Sequence, residues 1–159
     1  VSSTVRDVDR GAAALAERLR NLAAADEKGV RVGILSESNE SLGDIDLVEL
    51  ALIHEFGAPD ARYPIPERSF IRATVDESQA EIAGVIRAQA KLYYRGAVTR
   101  EAALDRVGAF VAGLCQKRIA ARIDPPNAPA TIEGKGSDVP LIDTGALRAA
   151  ITWNVEGDT

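Results

Sequence analysis

Residues 99–123, TREAALDRVGAFVAGLCQKRIAARI, decide the fold. Thr99 is a good helix N-cap and Glu101 falls in the first turn, while Lys117, Arg118 and Arg122 crowd the last turns, so both ends complement the helix macrodipole. Leu104, Val107, Val111, Leu114, Cys115, Ile119 and Ile123 recur at helical spacing and predict one buried stripe. Pro125-Pro126 forbids continuation.

Upstream of it, residues 69–94 predict a second long helix, with Ile71, Val75, Ile82, Ile86 and Leu92 or Tyr93 on one face and Gly96 as its stop. Asp46, with Glu49 three residues on, predicts a capping box for a short helix ending at Phe56. Leu47, Val48, Leu50, Ala51, Leu52, Ile53 and Phe56 cover nearly its whole circumference, so it is expected to be buried in the fold or against a partner, unless part of the run is a strand. Gly57 closes it, and Pro59, Pro64 and Pro66 make the following segment an extended, stiff surface loop.

Two segments alternate with period two. Residues 30–35 and residues 149–155, the latter with Ile151, Trp153 and Val155 on one side, predict strands of a single small sheet, with Trp153 buried. Residues 4–25 place Val8, Ala12, Leu15, Leu19 and Leu22 on one helical face behind Thr4 and before Lys28-Gly29. With Arg6, Asp7, Asp9 and Arg10 they are expected to form an amphipathic helix rather than a leader. The expected architecture is α+β: a single domain over residues 1–159, with long helices packed on a small, mostly antiparallel or mixed sheet and flexible loops near 36–45 and 124–140.

Composition limits the function classes. A net charge of −5 without any block of lysine or arginine argues against a protein that grips nucleic acid through its phosphates. A single cysteine excludes an internal disulfide and a cysteine-rich zinc site. No run approaches the roughly 20 apolar residues of a membrane span.

Three features suggest chemistry. His54-Glu55 opens like a zinc-protease H-E-x-x-H, but the second histidine, which must lie one turn on to share the metal, is Ala58. Asp143-Thr144-Gly145 matches the fingerprint of an aspartic protease. That mechanism needs two carboxylates sharing a proton, so one motif would require a homodimer, and the segment preceding it reads as mostly helical. The structural alternative makes Asp143 or Thr144 the cap of a short turn that points Leu147 into the core. Glu67, Arg68, Arg72 and Asp76 form a charge cluster that is either a solvated face or the rim of an interface around Phe70.

Two segments carry a resemblance. Residues 50–57, LALIHEFG, are followed by Ile65-Pro66-Glu67-Arg68-Ser69-Phe70, and residues 140–148, PLIDTGALR, by Ile151. In this order they resemble the minor structural proteins of tailed phages described as neck, tail-completion or virion-morphogenesis proteins. Their common pattern is an apolar IHEFG, an IPxRPF opening a long helix, and an LxDTGxLRxSI later in the chain. Ser69 stands where that pattern usually has proline and Ala150 where it often has serine.

The resemblance implies a virion protein, assembled in the host cytoplasm, with no catalysis, cofactor or metal. It implies self-assembly into a ring, sixfold by expectation, joining the head connector to tail-tube or tail-terminator proteins while DNA passes without specific binding and no membrane is involved. His54, Glu55, Phe56, Gly57, Arg68, Phe70, Asp143, Thr144, Gly145 and Leu147 are the interface candidates that follow. The homodimeric protease through Asp143-Thr144-Gly145 is the alternative.

Overall fold

A computed structural model describes residues 29–41, 45–121, 123–126 and 145–156. The expected helix 4–25, most of the loop 124–140, and Asp143 and Thr144 lie outside the described residues. The elements are β1 (Val30–Ile34), a 3-10 turn (Ser36–Ser38), α1 (Leu47–Phe56), α2 (Arg72–Glu77), α3 (Gln79–Tyr94), α4 (Arg100–Ala120), α5 (Ala146–Ala150) and β2 (Ile151–Val155).

The α+β architecture is as expected, and the two alternating segments do share one sheet. β1 and β2 pair antiparallel, with Val30 opposite Val155, Val32 opposite Trp153 and Ile34 opposite Ile151. Helix α4 lies against both strands and also contacts α2, α3 and α5, so it is the axis on which the other elements assemble. Its cap is the expected one: the Thr99 hydroxyl accepts the N–H of Ala102 at 3.1 Å. Ala103, Gly108, Val111, Ala112, Cys115 and Ile119 form its buried face, while Leu104, Val107, Leu114 and Ile123 are only partly covered.

Small residues on that face let the sheet come close. A Cβ on Gly108 would stand 2.4 Å from Trp153 Cδ1 and 2.8 Å from a methyl of Val30. Trp153 therefore lies across the helix at the glycine, and its indole N–H donates to Asp105 at 2.8 Å. It is half-buried rather than buried, because it sits at the rim of a sheet that has two strands among the described residues. The core proper gathers Leu47, Ala51, Phe70, Ala112, Cys115, Ile119, Leu147, Ala150 and Ile151.

The long helix expected over 69–94 begins later and is divided. Its first turn starts at Arg72, and Ser78, with φ −103° and ψ 13°, separates α2 from α3. The hydrogen bonds from Ser78 N–H to Thr74 O and from Ile82 N–H to Ser78 O keep the two pieces joined, so the division is a bend. The expected apolar face is not uniformly covered: Val75 and Ile86 are exposed, and Ile71, Ile82, Leu92 and Tyr93 are half-buried.

Candidate functional site

The segment running from His54 to Arg72 is organised by one carboxylate. Asp46 caps α1 by accepting the N–H of Glu49 at 2.8 Å, and the helix then carries Leu47, Ala51 and Glu55 on its buried face at four-residue spacing. Glu55 is 5% exposed, at the inner end of that face. Its Oε2 accepts the backbone N–H groups of Phe70 and Ile71 at 2.8 and 3.0 Å. Its Oε1 accepts the Ser69 hydroxyl at 2.7 Å, the N–H of Arg72 at 2.9 Å and the Arg72 guanidinium at 3.2 Å.

A carboxylate supplied by α1 thus serves as the anionic cap of α2, taking up the amides that a helix start leaves without intrahelical partners. This is why α2 begins at Arg72 and not at Ser69. Burial pushes the Glu55 carboxyl up, but the hydrogen bonds from Ile71, Ser69, Arg72 and Phe70 outweigh it and hold the group below the ordinary glutamate range. Ser69, the departure from the proline of the resembling pattern, contributes twice: its hydroxyl donates to Glu55 and accepts the N–H of Ala73 at 3.0 Å.

Gly57 makes this geometry reachable. Its φ of +74° is disfavoured for any residue with a side chain, and a Cβ there would lie 2.9 Å from Glu67 N and 3.0 Å from Ile65 O. The chain leaves through it into a loop closed by reciprocal hydrogen bonds between Ala58 and Ile65, at 2.8 and 3.1 Å, which returns residue 68 beside α1. There the Arg68 N–H donates to His54 O at 2.7 Å. The buried Arg68 guanidinium donates to the carbonyls of Pro125 and Pro126 at 2.8 and 3.1 Å, tying the segment beyond α4 to the same knot. Arg118 on α4 donates to Ser69 O at 3.1 Å and to both carboxylate oxygens of Glu77 at 2.6 and 3.0 Å.

This placement corrects several interface expectations. Phe70, expected as an exposed anchor, is 0% exposed, because the Glu55 cap turns it into the core; Thr74 Oγ1 donates to its carbonyl at 2.6 Å. Glu55, Arg68 and Leu147 are likewise buried within the subunit and act as its internal framework. His54 is partly covered, and Gly57 shapes the backbone. Gly145 stands at φ +80° at the head of α5, the short helix that leads Leu147 inward.

Among the described residues expected as side-chain contacts, Phe56 is the one at the surface, 55% exposed. One turn before it stands Leu52, 53% exposed, and in the adjoining loop Tyr63, 75% exposed; neither was among the expected residues. Leu52 and Phe56 lie about 100° round the helix from Ala51 and Glu55. The signal for them was the excess of apolar residues over what one buried face uses. Phe56 is held in place by the Arg72 guanidinium, 4.4 Å from its ring centroid, and Arg72 is itself bound to Glu55 O at 2.7 Å and to Glu67 at 2.8 Å. The result is an apolar strip on the outer side of α1, rigidly backed by the buried knot.

Among the described residues, no group of histidine, cysteine, aspartate and glutamate is arranged to hold a metal ion, and no helix is long and apolar enough to cross a membrane. Cys115 is buried in the core, where burial pushes its thiol up. Comparison with family models, curated proteins and solved structures yields no match to this chain.

Proposed function

We propose that the chain is a non-enzymatic structural subunit of a tailed-phage virion, acting at the junction of head and tail by assembling with copies of itself and with its connector and tail neighbours. The observation that carries the proposal is the pair Leu52 and Phe56, more than half exposed on the outer side of a helix whose inner side is anchored in the core. Two large apolar side chains one turn apart, with a guanidinium packed on the aromatic ring, are what a subunit interface uses as its centre. Their outer face differs from the inner face they are backed by, which suits a head-to-tail contact that closes into a ring.

The order of the HEFG, PERSF and DTGALR segments supports the same reading through resemblance, and their physical roles fit it. A subunit that must dock at defined angles benefits from a buried charged knot holding the docking helix to the long helix. The net charge of −5 suits a neighbour of passing DNA that must not retain it.

The test is made on particles. The chain is expected in purified virions at the head–tail junction, and phage carrying Leu52→Asp or Phe56→Asp is expected to accumulate separate heads and tails. Joined, infectious particles that lack the chain would defeat the proposal.

A further inference from the structure

The loop between α1 and α2 forms a stiff finger. Reciprocal hydrogen bonds between Ala58 and Ile65 close its base, and Pro59 and Pro64 fix the backbone just inside them. Within it the Arg62 guanidinium lies 5.5 Å from the ring centroid of Tyr63, the most exposed large apolar side chain among the described residues. The chain leaving the finger is tied to the C-terminal end of α4, through Arg118 to Ser69 O and through Arg68 to Pro125 and Pro126. The N-terminal end of α4 carries an open concavity of about 430 Å³, walled by Trp153, Asn154 and Val155 of β2 and by Glu101 and Asp105 of the helix. The cations around it are engaged elsewhere: Arg31 pairs with Glu156, Arg106 donates to Gln89, and Arg100 lines the crevice beside α3. Among the described residues, neither Glu101 nor Arg62 belongs to an ion pair.

We infer that the Arg62–Tyr63 finger of one copy docks in the Trp153 concavity of the next copy, with Arg62 on the carboxylates of Glu101 and Asp105 and the Tyr63 ring against the indole. The inference rests on the self-assembly proposed above and names its contact. Charge complementarity selects the occupant: a guanidinium outside any ion pair, beside an exposed ring, is matched by two exposed carboxylates beside a half-buried ring. Arginine suits this place, because its planar cation pairs with carboxylates and stacks on aromatic faces while being weakly hydrated. A finger already closed at its base loses little freedom on docking. The two features cannot meet within one subunit. Glu101 and Arg118 are roughly 25 Å apart along α4, and a closed loop of this length extends only about 10 Å from its base. Each copy therefore gives its finger to one neighbour and receives a finger at its opposite end, a heterologous contact that closes into a ring where the rotation allows.

The test is a charge swap on the full chain, read by native mass spectrometry across a concentration series, with thermal melts checking that each variant is folded. Both positions are exposed, so the swap leaves the core untouched. Wild type is expected to assemble. Arg62→Glu and Glu101→Arg are each expected to weaken assembly at least about tenfold, as for loss of a close charge pair between subunits, and the chain carrying both to recover most of it. Single variants that assemble like wild type, or a double variant no better than either single one, would overturn the inference while leaving self-assembly intact. A wild-type chain that stays monomeric throughout the series would overturn both.

Discussion

Glu55 and Arg72 hold each other at three points: the Glu55 carboxylate accepts both the backbone N–H and the guanidinium of Arg72, and the guanidinium donates back to the Glu55 carbonyl. Through this reciprocal grip the end of α1 and the start of α2 become one rigid corner. The arrangement is a charge satisfied from all sides in a place where an unsatisfied one would be costly.

Glu55→Gln should therefore destabilise the fold by about 2–4 kcal/mol, since an amide cannot accept at both oxygens and its NH₂ faces backbone donors. Urea denaturation of the two proteins measures it. The folded-state carboxyl titrates below the unfolded one, so its contribution is complete above the ordinary glutamate range and is lost as pH falls through the folded value. The gap between wild type and variant should accordingly be constant near neutrality and shrink below about pH 4. A gap independent of pH down to acid unfolding would refute the role given to the charge.

Gly57→Ala and Gly113→Ala should act in opposite directions. At Gly57 a methyl group meets both a positive φ and backbone atoms within 3.0 Å, which should cost at least about 2 kcal/mol. At Gly113, on the exposed side of α4, a Cβ meets nothing within 4 Å, and alanine should stabilise by about 0.5–1 kcal/mol. Thermal melts of the pair are sufficient to decide it.

Trp153 is the single tryptophan, so its fluorescence reports the seam between α4 and the sheet. Gly108→Ala should red-shift the emission and lower the melting temperature, because the new methyl would occupy space now held by the indole and Val30. Trp153→Ala should cost about 2–4 kcal/mol, nearer the lower end of the range for large-to-small changes because the ring is only half-buried. An unchanged spectrum in Gly108→Ala would mean that the indole lies elsewhere.

Phe70→Ala is expected to damage the subunit itself, by about 3–5 kcal/mol, as for any fully buried phenylalanine. Phe56→Asp should leave the melting temperature almost unchanged, since that ring is largely in solvent. If the two substitutions prove equally destabilising, the division between internal framework and outer face is wrong.

Local signals in the sequence were sufficient for most elements and for their caps. Thr99 and Asp46 cap the helices that their spacing predicts, and alternation around Val32 and Trp153 identified two strands that prove to be partners across 121 positions of chain (153 − 32). What remained hidden was tertiary. Glu55 reads in the sequence only as an interface candidate, because its hydrogen-bond donors, Ser69 to Arg72, lie at least 14 positions away and have no periodic relation to it. Once that carboxylate draws in the Phe70 amide, Phe70 must face inward, which no reading of PERSF by itself can state. Leu52 was overlooked for a different reason: on a helix apolar all round, periodicity does not say which side is the outer one.

The most direct test of the account is the mass of the purified chain in solution, measured by native mass spectrometry or sedimentation, for wild type and for Leu52→Asp with Phe56→Asp. The account predicts that wild type closes into a defined oligomer as concentration rises, and that the double variant stays monomeric with an unchanged melt. A wild-type chain that remains solitary at every concentration, or a double variant that closes equally well, would contradict it.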